Sequence, residues 1–223
     1  MIVVIQCAAR KRSDAGYLRT SDGRRVVFVA DPAAAPALGG VLFARPDDVA
    51  KSGRTWREEL VAYNRNPKGN PLCLLPAFEL YQNEAYRRLA AKVGVSNLFI
   101  LSAGWGLIAA AFLTPCYDIT FTAHANAYKR RRKSERCQDF SMLPQGKTEP
   151  VLFFGGKDYL PLFDRLTGGN QGPRIVFYNS ASEPQIGNGR AVRFMTSTRT
   201  NWHYECVDAY LLGALDRETG VPA

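Results

Sequence analysis

The sequence predicts an α/β fold: a single domain with a central, mostly parallel sheet flanked by helices. Three observations carry this expectation. Short apolar, β-branched or aromatic runs recur at residues 2–5, 25–30, 97–102, 151–154 and 174–178. Segments with helical spacing of apolar residues lie between them or close the chain, at 47–64, 76–93, 158–166 and 202–215. Strands alternating with helices are the pattern of a sheet covered on both faces. The length of 223 residues suits one domain. A chain of this size buries roughly 70% of its unfolded surface, so its core needs no staples.

Each element has its own local reason. Residues 2–5 (IVVI) are a continuous β-branched run, as expected of a central strand buried on both faces. They end in a polar loop, Gln6-Cys7-Ala8-Ala9-Arg10-Lys11-Arg12. Residues 25–30 (RVVFVA) read as a second strand. The stretch 33–46, rich in Ala, Pro and Gly, reads as irregular. Residues 47–64 place Trp56, Leu60 and Tyr63 on one helical side, and the breaker NPKGNP at 66–71 follows. Residues 76–93 form a second helical pattern, with Gly94 near its C-cap. Residues 97–102 (NLFILS) are the next strand, followed by Ala103-Gly104-Trp105-Gly106 and a loop through Pro115. A basic segment occupies 128–136, within an insertion near 122–148. Residues 151–154 form a strand, and Gly155-Gly156-Lys157 leads into a helix at 158–166. Residues 174–178 are the last predicted strand, ending at Asn179. The final helix spans 202–215 with Asn201 as its N-cap.

Composition narrows the function. Lys and Arg number 29 against 20 Asp and Glu, a net charge of +9. That balance favours a polyanionic partner, chiefly nucleic acid, although a generally basic proteome gives the same excess. The five cysteines are widely spaced and odd in number, with no CxxC pair. They suggest neither a disulfide framework nor a zinc site, and free thiols point to a reducing cytoplasm. No run approaches the roughly 20 apolar residues of a membrane span, and the start lacks a signal-peptide pattern. No metal, cofactor or obligate protein partner is expected.

Ligands of open α/β sheets gather beyond the carboxyl ends of the strands. The residues expected there are Gln6, Cys7 and Arg10, then Ser102, Trp105 and Gly106, then Gly155 to Lys157, then Asn179. Amides, aromatics, small residues and cations suit a base edge, a stacking plane and a phosphate, though polar loops after strands are common in any protein. Gly155-Gly156-Lys157 is not a P-loop, since GxxxxGK[ST] is absent. It reads equally as a tight turn or a phosphate contact. Residues 129–136 carry six cations and one acid, either a solvated face or a backbone-phosphate surface. His203, at a helix start, reads as a neutral hydrogen-bonding or packing histidine. Two histidines 79 positions apart, without flanking ligands, do not suggest a metal. Asp118, beside Tyr117, is the carboxylate placed to stabilise an oxocarbenium-like sugar or activate water, unless it is a turn or capping aspartate.

Residues 98–121 read LFILSAGWGLIAAAFLTPCYDITF. Through Ser102, Trp105, Gly106, Leu107, Pro115, Tyr117 and Asp118 this segment resembles the YaaA-like peroxide-stress proteins and their relatives. The strand ending in Gln6-Cys7, with Lys11 or Arg12 after it, is similar to that family's first strand and basic loop, although the SPAK type of start is missing, one extra residue separates Pro115 from Tyr117, and Trp105 stands where tyrosine or histidine is commoner. The resemblance implies an α/β core that binds DNA in a basic cleft, with distant similarity to the uracil-DNA-glycosylase-like superfamily. The expected activity is that of a DNA glycosylase excising a flipped, modified or damaged base, in repair or antiviral defence. Asp118 is the expected catalytic group, with His203 as alternative. Gln6, Cys7, Ser102, Trp105, Gly106, Tyr117 and Asn179 are the expected base-binding set. Arg10, Lys11, Lys129, Arg130, Arg131, Arg132, Lys157 and Arg199 are the expected phosphate contacts. Two other readings stay open: a non-catalytic DNA-binding stress protein, and an enzyme of free nucleotides. Whether Asp118 lies in a cleft with Gln6 and Trp105 separates the first reading from the second.

Overall fold

The computed structural model describes residues 1–220. The β-branched run forms β1 (Ile2–Gln6), whose Val3, Val4 and Ile5 are fully buried. It pairs in parallel with β5 (Leu98–Ser102) on one side and β9 (Val151–Phe154) on the other. The sheet extends beyond β9 through parallel β10 (Arg174–Tyr178) and β11 (Gly189–Arg193). Beyond β5 it continues through antiparallel β6 (Gly106–Ala109) and then β8 (Phe140–Ser141), which runs parallel to β6. The resulting order is β11-β10-β9-β1-β5-β6-β8, the expected mostly parallel sheet.

Helices cover both faces. Successive strand residues point to opposite sides of a sheet. Phe153 stacks on Phe163 of α3 (Leu160–Thr167), while Phe154 meets Tyr210 of α4 (Trp202–Leu211). The α4 helix also packs on α2 (Ala85–Val93), which lies over β1 and β5. Two small ribbons sit outside the sheet: β2 (Arg25–Phe28) with β3 (Val41–Ala44), and β4 (Leu75–Pro76) with β7 (Leu113–Thr114).

Several elements differ from the sequence expectation, each for a visible reason. Residues 41–44, expected to be irregular, form β3 because β2 offers a parallel partner, Val26 opposite Leu42. The first helix, α1 (Trp56–Arg65), starts nine residues late. A capping box begins it there: Thr55 Oγ1 accepts from the Glu58 amide while Glu58 accepts from the Thr55 amide. The α2 helix also starts nine residues late: one turn forms, with Glu79 and Leu80 donating to the Pro76 carbonyl, and the chain then pairs with the loop after β1, Leu80 accepting from the Arg12 amide and Gln82 donating to the Arg10 carbonyl. Leu80 and Tyr81 are buried all the same. The β11 strand was unrecognised because its GRAVR run is half-exposed and arginine-rich. The last helix breaks at Gly213 (φ 78°) and resumes as α5 (Asp216–Thr219). Asn201 occupies the α4 N-cap position, but in the left-handed region and without a side-chain cap bond.

No helix among the described residues is long and apolar enough to cross a membrane.

Candidate active site

The order of strands reverses between β1 and β9: the chain leaves β1 toward β5, β6 and β8, then returns to β9 on the opposite side. Such switch points leave a crevice beyond the carboxyl ends of the two strands. A pocket of about 460 Å³ opens there. Gln6 lines it from the end of β1, Cys7 and Lys11 from the loop that follows, Tyr159 from the segment after β9, and His203 and Tyr204 from the first turn of α4. Asp118, Thr122, His124 and Lys129 close it from the segment before and within the basic insertion.

Gln6 ties the two strand ends together. Its Oε1 accepts from the Gly156 amide at 2.7 Å, which fixes the orientation of the side-chain amide. Its Nε2 therefore donates to His203 Nε2 at 3.3 Å. That assignment makes His203 Nε2 an acceptor, so the neutral ring carries its proton on Nδ1. Burial pushes the His203 pKa down to about 4, consistent with a neutral ring. Gln6 Nε2 carries a second N–H, and His203 Nδ1 makes no hydrogen bond to another side chain or carbonyl among the described residues.

The Asp118 carboxylate makes an ion pair with Lys129 at 2.7 Å. That contact raises the Lys129 pKa. The backbone of Asp118 is anchored by its amide, which donates to the Phe28 carbonyl at 2.8 Å. Cys7 Sγ lies 3.1 Å from the Tyr159 hydroxyl, and burial pushes the Tyr159 pKa well up. Asp118 and Gln6 thus share the pocket, two of the three residues whose meeting separates the enzyme reading from the binding one.

Trp105 does not share it. Its ring is fully buried, stacked on Phe140 and edge-on to Phe28 and Tyr117, so it offers no face to a base. Tyr117 is buried as well, its hydroxyl held by Ser102 (2.8 Å) and Tyr81 (2.9 Å). Ser102 accepts from the amides of Gly104 and Trp105 at 3.1 Å each, folding the turn between β5 and β6. Gly106 sits at φ 89° against the Phe140 backbone, where a Cβ would lie 2.5 Å from a carbonyl oxygen. Three further carbonyls of this turn are held by arginines: Arg131 donates to Ala103 (2.8 Å), and Arg57 to Gly104 (3.2 Å) and Trp105 (3.0 Å). Ser102, Trp105, Gly106 and Tyr117 are therefore packing and turn residues and do not line the pocket.

The expected phosphate contacts divide. Arg131 is buried, bidentate to Asp139 at 2.7 and 2.6 Å, and Asp139 also meets Arg165. It acts as a structural clamp at the base of the neighbouring cleft, because a guanidinium this deeply buried needs a carboxylate and carbonyls around it. Arg130 and Arg132 are exposed and line a neighbouring basic cleft of about 940 Å³ with Arg45 and Lys133. Residues 121–130 wall the two cavities apart: Thr122, His124 and Lys129 face the pocket, Phe121, Ala123 and Arg130 the cleft. Lys11 and Lys129 belong to the pocket. Arg10, Lys157, Asn179 and Arg199 line neither cavity. Asn179 donates instead to the Thr198 carbonyl at 3.1 Å. Gly155 and Gly156 continue β9 without a turn and Gly156 is extended, Lys157 opens a 3₁₀ turn (Lys157–Tyr159), and the Gly156 amide is already taken by Gln6.

No family model, curated protein or solved structure matches this chain.

Sequence reasoning missed Tyr159 and Tyr204, the aromatic groups that do line the pocket. The switch-point rule applied to β1 and β9 together would have pointed at Tyr159. Tyr204 enters only because α4 packs over that end of the sheet. No cluster of three or more His, Cys, Asp or Glu able to hold a metal occurs among the described residues.

Proposed function

We propose that this protein is an N-glycosyl hydrolase that releases a nucleobase flipped out of DNA. The supporting observation is one pocket holding a lysine-paired carboxylate, Asp118, together with uncommitted donors on Gln6 and His203, beside a basic cleft. In such a reaction positive charge develops on the sugar and negative charge on the departing base. A carboxylate suits the first and neutral N–H donors suit the second. Asp118 stabilises the sugar cation or orients the attacking water. Gln6 and the neutral His203 donate to the base edge. Tyr159, His203 and Tyr204 supply the flat surfaces that Trp105 does not. Arg130, Arg132 and Lys133 hold the flanking phosphates, a sequence-independent contact that weakens with salt. The resemblance of residues 98–121 to DNA-binding YaaA-like proteins supports a polynucleotide substrate over a free nucleotide.

The test is release of a base from DNAs carrying normal, damaged and glucosylated hydroxymethylcytosine bases, read as alkali-labile abasic sites. Abasic sites that depend on Asp118 are the expected result. Salt-sensitive DNA binding without base release from any substrate would favour the non-catalytic stress protein.

A further inference from the structure

Two lysines enter the pocket, and the structure treats them oppositely. Lys129 is held by Asp118 at 2.7 Å and its pKa is raised. Lys11 is half-buried and has no carboxylate within ion-pairing distance among the described residues. Its Nζ lies 4.0 Å from the centroid of the Tyr117 ring. The ring face favours the ammonium form, as do Cys7, Cys116 and Asp118, whereas Lys129 opposes it. Burial outweighs these groups and lowers the Lys11 pKa. The backbone of this residue is fixed, with its carbonyl accepting from Gln82 Nε2 at 3.1 Å and an isolated bridge to Tyr81. A positioned amine without a counter-ion is the arrangement that makes lysine a nucleophile toward carbonyl carbon.

We infer that Lys11 is a nucleophile that forms an imine with the C1′ aldehyde of an abasic deoxyribose, giving the protein a strand-cleaving activity after base release. The inference rests on the DNA-substrate reading, since that reaction generates the aldehyde. The Lys11 amine adds to C1′ through its lone pair, and the carbinolamine takes up a proton from solvent and loses water to leave a protonated imine. The C2′ proton then passes to the Asp118 carboxylate, the C3′–O bond breaks, and the 3′ phosphate departs with the electron pair. Water hydrolyses the imine, restoring the amine and releasing an unsaturated aldehyde on the sugar. No redox partner is needed.

The experiment uses the full chain and DNA with a preformed abasic site, so that it does not depend on base release. Sodium cyanoborohydride traps the imine as a covalent adduct, and mass spectrometry locates the modified residue. Binding to the same DNA carrying a tetrahydrofuran in place of the abasic sugar is measured alongside. Adduct on Lys11 is expected, falling at least 100-fold in Lys11→Arg and Lys11→Met while Lys11→Arg still binds the tetrahydrofuran DNA. Binding without adduct, or an adduct on the N-terminal amine or another lysine, would overturn the inference and leave the DNA-substrate reading standing. Absence of both binding and adduct would overturn the two together.

Discussion

Asp139→Asn probes the largest departure from the sequence expectation, the burial of Arg131. The Asp139 side chain has 0% and the Arg131 side chain 3% of its surface exposed. The carboxylate accepts two bonds from Arg131 and one from Arg165, while Arg131 also braces the Ala103 carbonyl. Asparagine keeps the shape and removes the charge, leaving one buried guanidinium uncompensated. Breaking a buried pair from one side costs about 3–5 kcal/mol. For a chain of this size that is a fall in Tm of about 6–20 °C. Urea denaturation monitored by tryptophan fluorescence reads the change, since Trp105 sits on the braced turn. The double variant Arg131→Met with Asp139→Leu is expected to lose less than either single change, because it leaves no orphaned charge. A shift below about 1 kcal/mol for Asp139→Asn would refute the clamp and return Arg131 to the DNA surface.

Four further outcomes are expected. Asp118→Asn lowers base release by about 10²–10⁴-fold, with DNA affinity near that of wild type, as read by single-turnover abasic-site formation beside fluorescence anisotropy. Arg130→Ala and Arg132→Ala each reduce the slope of log affinity against log salt by about 1, a change the titration series measures directly. His203, with its folded pKa near 4 against 6.5 unfolded, is destabilising where only the unfolded state takes the proton. Stability is therefore lost as pH falls from about 6.5 to about 4, by about 3 kcal/mol at most; the stability difference between wild type and His203→Gln should follow that window and be flat above pH 7. Gly106→Ala combines a positive φ with a Cβ 2.5 Å from the Phe140 carbonyl oxygen, so a loss of about 3 kcal/mol or more in denaturant stability is expected.

Much of the architecture was legible because it is written in local periodicity. The IVVI run, the LFILS strand, VLFF and RIVFY all appear where their apolar patterns place them. A strand apolar on both faces has one stable environment, the interior of a helix-covered sheet. Helix starts were less legible. Residues 76–84 have helical spacing, yet after one turn the Leu80 carbonyl and the Gln82 amide are taken by Arg12 and Arg10, partners about 70 positions away.

The sequence by itself determined the α/β class, the basic balance and the presence of Gln6, Cys7, Lys11, Asp118, Lys129 and His203 near strand or helix ends. Tertiary structure alone decided which of them meet. Gln6 and Gly156 are joined by one hydrogen bond across 150 positions, and no local pattern encodes that closure. It also decided that Arg131 is a buried brace while Arg130 and Arg132 remain at the surface, although all three read alike in the sequence. A cation survives burial only where a carboxylate and backbone oxygens converge on it. Here Asp139 and the carbonyls of Ala103 and Glu135 converge on Arg131 and not on its neighbours.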